Sequence, residues 1–312
     1  MKRILLIALA LAAMSSTVRG QAASKTLAER LGHAPDAKLL IVHVDDLGMA
    51  HSVNAAAIKA FEGGLVNSGS IMVPCPWFSE IAAYARAHPE ADLGLHLTLT
   101  SEWKFFRWGP VLSRDRVPTL LDAEGYLHPT EAIAAARADA REVEAEIRAQ
   151  IERAKAFGIR PTHLDSHMGT LYQNKTLFET LLRVGRDNGL PVMISKEWFG
   201  LAPFLQSLLR PDDVVLDKIL DIGPTVPAER WDDYYTEAIK NLRPGLTQVI
   251  VHLAYDDEEM RATAIDHPDW GAAWRQRDFN FFTSGKFRQL LKEQNIKLVT
   301  WRELGSLKSS AK

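Results

Sequence analysis

The sequence predicts a parallel α/β fold, a (β/α) barrel that is either closed or distorted and incompletely closed, and three observations point to it. Strand-like and helix-like segments alternate along the chain, the pattern of successive βαβ units. Asp45, His96, Asp165 and His252 each fall at or just after the C-terminal end of an expected strand, the edge on which barrel enzymes build their sites. No GxGxxG loop is present. Four separate strand ends converging on one point favour a barrel over an open sheet, which gathers its ligand at a single switch point.

Residues 1–22 stand apart from this pattern. Lys2 and Arg3, the apolar run from Ile4 to Met14 and the small and polar residues after it have the charged, apolar and cleavage regions of a secretory signal. The apolar run is 11 residues long, against the roughly 20 that a spanning helix needs. Cleavage is therefore expected between Gly20 and Ala23, with export to the periplasm or beyond, no stable membrane insertion afterwards, and residues 23–312 left as a single barrel domain. Removing Lys2, Arg3 and Arg19 takes the formal charge from −2 to −5.

Beyond the leader, Lys38–Val44 is a β-rich apolar run of the length of a buried parallel strand. It ends at Asp45-Asp46, Leu47-Gly48 turn the chain, and Asn54–Glu62 carries helix formers up to Gly63-Gly64. The alternation continues with Ser68–Val73 as a strand, Ser79–Ala87 as a helix and Leu93–Leu99 as a strand. Thr100 to Thr130 is an insertion holding Trp103, Phe105, Phe106, Trp108 and Tyr126; such aromatics either offer a stacking face to a ligand or pack the loop against itself. Glu131–Phe157 reads as one long amphipathic helix stopped by Gly158. Then come Thr162–Asp165 (strand), Leu177–Asp187 (helix), Pro191–Ser195 (strand), an irregular stretch 198–231, Tyr234–Asn241 (helix), Thr247–Leu253 (strand), Gly285–Gln294 (helix) and Ile296–Thr300 (strand).

Composition narrows the function. With 312 residues, 46% hydrophobic and 24% charged, the chain has the make-up of a globular protein. Its net charge of −2 lacks the basic footprint of a nucleic-acid binder, so no nucleic-acid partner is expected. Cys75 is the single cysteine and sits between Pro74 and Pro76, which rules out an intrachain disulfide and fits a small turn residue better than a nucleophile.

The histidines separate into two groups. His33, His51, His88, His128 and His267 lie in segments rich in Pro, Gly or charge and are expected in solvent, with His51 near enough to the Asp45 corner to reach a substrate. His43, His96, His163, His167 and His252 lie in or just after strands, where an imidazole needs a hydrogen-bond partner or a metal. In Thr162–His167 (THLDSH), His163 and Asp165 share a face of the expected strand, and His167 stands beyond its end. The neighbouring carboxylates Asp45 and Asp46 repel each other unless a cation or proton intervenes, which suits one metal ligand beside one base; alone, the pair would fit a turn or helix cap equally well.

The stretch HVDDLGMAHSVNAAAIKAFEGGLVNSGSIMV from His43 resembles the opening NADDFG strand and following helix of the YdjC-like deacetylases, which include the chitooligosaccharide deacetylases. Gly94–Thr100 (GLHLTLT) resembles their second motif and Arg160–His167 (RPTHLDSH) their third. The likeness runs on through Thr247–His252 and Arg275–Leu304, so it covers nearly the whole mature chain. It implies hydrolytic removal of acetyl groups from N-acetylated mono- or oligosaccharides. Asp45 would be the general base, Asp46, His96 and His167 the metal ligands, and His252 the candidate general acid. One divalent ion is implied, zinc or magnesium first, with cobalt, manganese or nickel as alternatives; bound there, it would polarise an amide carbonyl and acidify a water. Two departures stand out: Met168-Gly169-Thr170 follow His167 where the family often reads SHxHxH, and His43 replaces the opening asparagine. Both leave the ligand set intact and put the sugar pocket in question. The alternatives are a metal hydrolase of the same fold acting on a non-sugar amide or ester, and a catalytically silent carbohydrate-binding protein.

Overall fold

Strand β1 spans Lys38–Leu47 and so runs on through both aspartates of the Asp45-Asp46 pair. The structure, a computed structural model, describes residues 25–309; the signal-like segment 1–22 lies outside the described residues. Six further strands join β1: β2 (Ser68–Ile71), β3 (Leu93–Leu97), β4 (Leu164–Ser166), β5 (Lys218–Leu220), β6 (Gly245–Val251) and β7 (Lys297–Leu298). Their order is β4-β3-β2-β1-β6-β5 with β7 against β1, and every strand pairing is parallel. The sheet is curled, in keeping with a distorted (β/α) barrel. Isolated backbone bonds lead from one edge to the other: Met193 N–H to Leu164 O at 2.9 Å, Leu216 N–H to Ile194 O at 2.8 Å and Asp217 N–H to Leu246 O at 2.8 Å. The expected strand Pro191–Ser195 is thus reduced to single bridges.

Both faces of β1 are buried, which is why LLIVHV shows no apolar–polar alternation. Leu40, Val42 and Val44 pack outward in the main core beneath the helices, while Leu39 and Ile41 belong to a second cluster with Met193, Leu216, Leu246 and Trp301. Trp301 opens a C-terminal helix, Trp301–Ser309, that the sequence reading lacks; its indole N–H donates to Gln248 Oε1 at 2.8 Å. Residues alternate along a strand, so the next inward positions after Leu39 and Ile41 are His43 and Asp45. Ser68, Ser70, His96, His163 and Asp165 are buried with them. A barrel interior is ordinarily filled by branched apolar residues; here its upper part is ionisable. Gly94 makes room for it, since a Cβ there would stand 2.5 Å from the His163 ring.

Several expectations are corrected. The helix expected over Glu131–Phe157 is two, Glu131–Arg137 and Ala140–Ala156. Ala138 is extended, and the Asp139 side chain accepts from the Arg141 and Glu142 N–H groups, a helix N-cap that starts a new helix. His128 is buried, with its Nε2 3.1 Å from Thr119 O, because the insertion folds back on itself. The irregular stretch contains a short helix Pro203–Ser207 and strand β5, and helices Glu258–Thr263 and Ala272–Phe282 follow β6. Among the described residues no helix is long and apolar enough to cross a membrane.

Candidate metal centre

Asp46 has φ 67°, a left-handed conformation that costs a non-glycine residue about 1–3 kcal/mol and persists only where its surroundings enforce it. The strand register shifts between Val44 and Leu47 at the same place. In a regular strand Asp45 and Asp46 would point to opposite faces; the irregularity turns both toward His96, with Asp45 Oδ2 3.9 Å and Asp46 Oδ1 3.5 Å from His96 Nε2. His96 comes from β3, and His167 follows directly on β4. Its Nδ1 lies 3.4 Å from the same Asp46 Oδ1.

That oxygen is buried and has no hydrogen-bond partner. A buried acceptor left unsatisfied is costly, and here it is flanked by two imidazole nitrogens at 3.4 and 3.5 Å. Oxygen and nitrogen ligands held about 2.1 Å from a tetrahedral ion lie about 3.4 Å apart. Asp46, His96 and His167 therefore fit one divalent cation. Asp45, His96 and Asp165 also converge, as do His43, His163 and Asp165, but the Asp165 carboxylate is already engaged by two imidazoles. Its Oδ1 lies 2.7 Å from His96 Nδ1 and its Oδ2 3.1 Å from His43 Nε2.

The outer nitrogen of each imidazole meets a carboxylate: His96 Nδ1 meets Asp165, and His167 Nε2 lies 3.0 Å from Glu102. Such partners fix the ring and its tautomer so that the other nitrogen faces the ion. The other oxygen of Asp46, Oδ2, accepts from Arg275 Nη2 at 2.7 Å. Glu102, Arg275 and Asp165 carry no assigned role in the sequence reading. A usable signal is the carboxylate of Glu102, two residues after GLHLTLT and at the head of the aromatic-rich stretch Trp103–Trp108.

Charge states follow from these contacts. Burial would raise the Asp46 pKa, but the Arg275 and His167 charges hold it well below the usual carboxylate range. Burial disfavours a proton on His167, yet Glu102 and Asp46 outweigh it and raise its pKa to about 10, so a cation binding there displaces a proton. His252 lies beyond β6 with its backbone N–H donating to Asp278 Oδ2 at 3.0 Å. Burial pushes its pKa down to about 4, with Asp46 opposing and Arg275 adding to the fall. At neutral pH it rests uncharged.

His43 is fully buried and touches both carboxylates that matter, with Nε2 3.1 Å from Asp45 Oδ1 and 3.1 Å from Asp165 Oδ2. Burial opposes its proton, but hydrogen bonds and charge from Asp165 and Asp45 raise its pKa to about 9. A folded-state pKa above the unfolded value of about 6.5 stabilises the fold fully below pH 6.5, and that contribution is lost as pH rises through about 9. The size is roughly 3 kcal/mol. The free energy of unfolding, followed by urea titration, should fall across this window in the parent and fall less in His43→Asn; an identical fall in both would remove His43 from the account.

The other expected residues are placed as follows. His51 is exposed, 2.7 Å from Glu80, and takes no part in the cluster. Trp103 and Trp108 are buried, and Trp108 Nε1 donates to Thr100 O at 2.8 Å, so these two pack the insertion rather than its surface; Phe105 is 71% exposed. Met168 and Gly169 have φ 50° and 65°, a left-handed turn that carries the chain away just after His167. Cys75 is buried. A cavity of about 570 Å³ lined by Leu220, Tyr234 and Glu237, and another of about 300 Å³ lined by Arg86, Arg160 and Arg302, lie apart from this centre.

The model of the family described as YdjC-like protein matches residues 39–293. A carbohydrate deacetylase of Thermus thermophilus is 34% identical over 283 residues, covering 88% of this chain and 97% of that protein. A chitooligosaccharide deacetylase of Yersinia pestis is 29% identical over 193 residues, 56% of this chain and 72% of its own. Among solved structures, an Enterococcus faecalis V583 protein provisionally assigned to cellobiose-phosphate cleavage superposes with a TM-score of 0.73 at 26% identity, covering 86% of this chain and 99% of that one.

Proposed function

We propose that this chain, which belongs to the YdjC-like protein family, removes the acetyl group from an N-acetylated sugar by metal-assisted hydrolysis. The observation that carries the reading is the unsatisfied Asp46 Oδ1 facing His96 Nε2 and His167 Nδ1, with a further carboxylate, Asp45, beside them. Relatives named carbohydrate deacetylases at 34% and 32% identity support the substrate class. The charged, apolar and small-residue order of residues 1–22 supports export.

Two nitrogens and one oxygen suit zinc better than magnesium, with cobalt, nickel and manganese sharing the preference in part. When bound, a divalent cation supplies Lewis acidity to the acetamide carbonyl and to the attacking water. Asp45 is the base: its Oδ2 stands next to the ligand nitrogen of His96, and its Oδ1 is steadied by His43 and by the Ser70 hydroxyl at 3.3 Å. It takes a proton from water as the remaining hydroxide adds to the acetyl carbon. His252, uncharged at rest, takes that proton over from Asp45 and hands it to the amine nitrogen as the C–N bond breaks, while the second hydrogen of the water stays on the acetic acid formed and dissociates from it. Acetate and a free amino sugar leave together, with every atom of the added water accounted for.

Acetate release from N-acetylglucosamine oligomers by the purified protein is the test. Release should stop after chelation and return on adding zinc or cobalt. Release indifferent to chelation, or none from any acetylated sugar in any of the five metals, would overturn the reading.

A further inference from the structure

We infer that Arg275 is a positioning residue that latches the metal-binding carboxylate of Asp46 to the loop carrying Trp270, an inference that rests on the metal reading above. Its guanidinium is 1% exposed and presents donors in a fixed planar fork. Nη2 donates to Asp46 Oδ2 at 2.7 Å, and Nε donates to Trp270 O at 2.5 Å. One planar group thus sets the direction of a side chain on β1 and of a backbone carbonyl on a loop some two hundred residues later.

Each bond has its own consequence. With Oδ2 taken, Asp46 offers Oδ1 to His96 and His167, so the carboxylate meets a cation through one oxygen whose place is set before any ion arrives. The loop end is held in a conformation that needs holding. Asp266 and Trp270 have φ 63° and 55°, which non-glycine residues keep only where neighbours impose them. Around it, Lys104 pairs with Asp266, His267 lies edge-on to Trp103 at 4.9 Å and Trp270 stacks on Trp274 at 5.0 Å. Trp103 itself lies 5.9 Å from the guanidinium carbon. Lys104 and Trp103 belong to the insertion after β3, so Arg275 sits where that insertion, the Trp270 loop and the metal ligand meet. Trp270 remains 36% exposed, an aromatic face available to a sugar ring.

Two substitutions separate the two bonds. Arg275→Met removes both; Arg275→Lys keeps a cation for Asp46 and lacks the Nε donor. Zinc affinity of metal-stripped protein, by calorimetry, should fall at least about tenfold in Arg275→Met and stay within about threefold of the parent in Arg275→Lys. Amide hydrogen exchange over residues 264–271 should quicken in both, and in Arg275→Lys the KM for acetylated sugar should rise more than kcat falls. Parent-like zinc affinity in Arg275→Met, or parent-like protection of 264–271 in Arg275→Lys, would overturn the latch. If Arg275→Met does not fold, the exchange measurement on Arg275→Lys decides. A parent that binds no zinc would count against the metal reading alone, and the exchange arm would still judge the latch.

Discussion

The Asp45→Asn protein is expected to hold its metal as the parent does and to release acetate ~10²- to 10⁴-fold more slowly, the usual contribution of a positioned general base. The separation follows from the atoms involved. The proposed ligands are Asp46 Oδ1, His96 Nε2 and His167 Nδ1, and Asp45 stands outside them, its Oδ2 3.9 Å from His96 Nε2. Asparagine keeps the shape of aspartate and an oxygen for Ser70 and His43, but an amide does not accept a proton from water near neutral pH. His43 retains Asp165 at 3.1 Å, so the charge layer below the site is not orphaned. The kcat on N-acetylglucosamine oligomers and the metal content by mass spectrometry are to be measured on one sample. Turnover within tenfold of the parent would strip Asp45 of the base role. Joint loss of metal and turnover would make it a ligand, as the alternative Asp45, His96 and Asp165 grouping requires.

How much of this site could be read in the sequence depends on how local its causes are. The strands Lys38–Val44, Ser68–Val73 and Leu93–Leu99 are legible because buried parallel strands are continuous apolar runs, and polar residues at their ends stand out against that background. β5 is not: it has three residues, with Lys218 exposed and Ile219 half-buried, and is a strand because Thr247–Val249 of β6 pairs with it. The break at Ala138-Asp139 is a local cap signal that the strong helical period around it conceals. The contacts that tune the site are long-range: Glu102 and His167 are 65 residues apart and Arg275 and Asp46 are 229 apart, so no spacing rule reaches them. The left-handed backbone at Asp46 is likewise invisible in the letters Asp45-Asp46-Leu47-Gly48, where Gly48 is the residue expected to bear a positive φ. It does so too, at 91°.

Removing a ligand should have a different signature from removing the base. In His96→Ala both the metal and the activity are expected to go, because Nε2 is one of three proposed protein donors and the groups below it, His43 and Asp165, are already paired with each other. Zinc affinity should fall by more than ~100-fold, the upper end of what loss of an outer-sphere partner costs. Asp165→Asn provides the calibration. Asp165 touches His96 only at Nδ1, on the far side of the ring, at 2.7 Å, so its amide should weaken binding by about 10–100-fold and leave a metal-loaded enzyme that still turns over. The order His96→Ala worse than Asp165→Asn is the point of the comparison, since a ring that merely filled space would rank the other way: an alanine beside the polar Ser70 and Asp45 leaves a small wet gap, whereas Asp165→Asn disturbs two buried imidazoles at once. Calorimetric zinc titration of the three metal-stripped proteins, with acetate release measured at saturating zinc, reads the order directly. Zinc affinity in His96→Ala equal to or tighter than in Asp165→Asn would mean that the cation, if one binds, is held elsewhere.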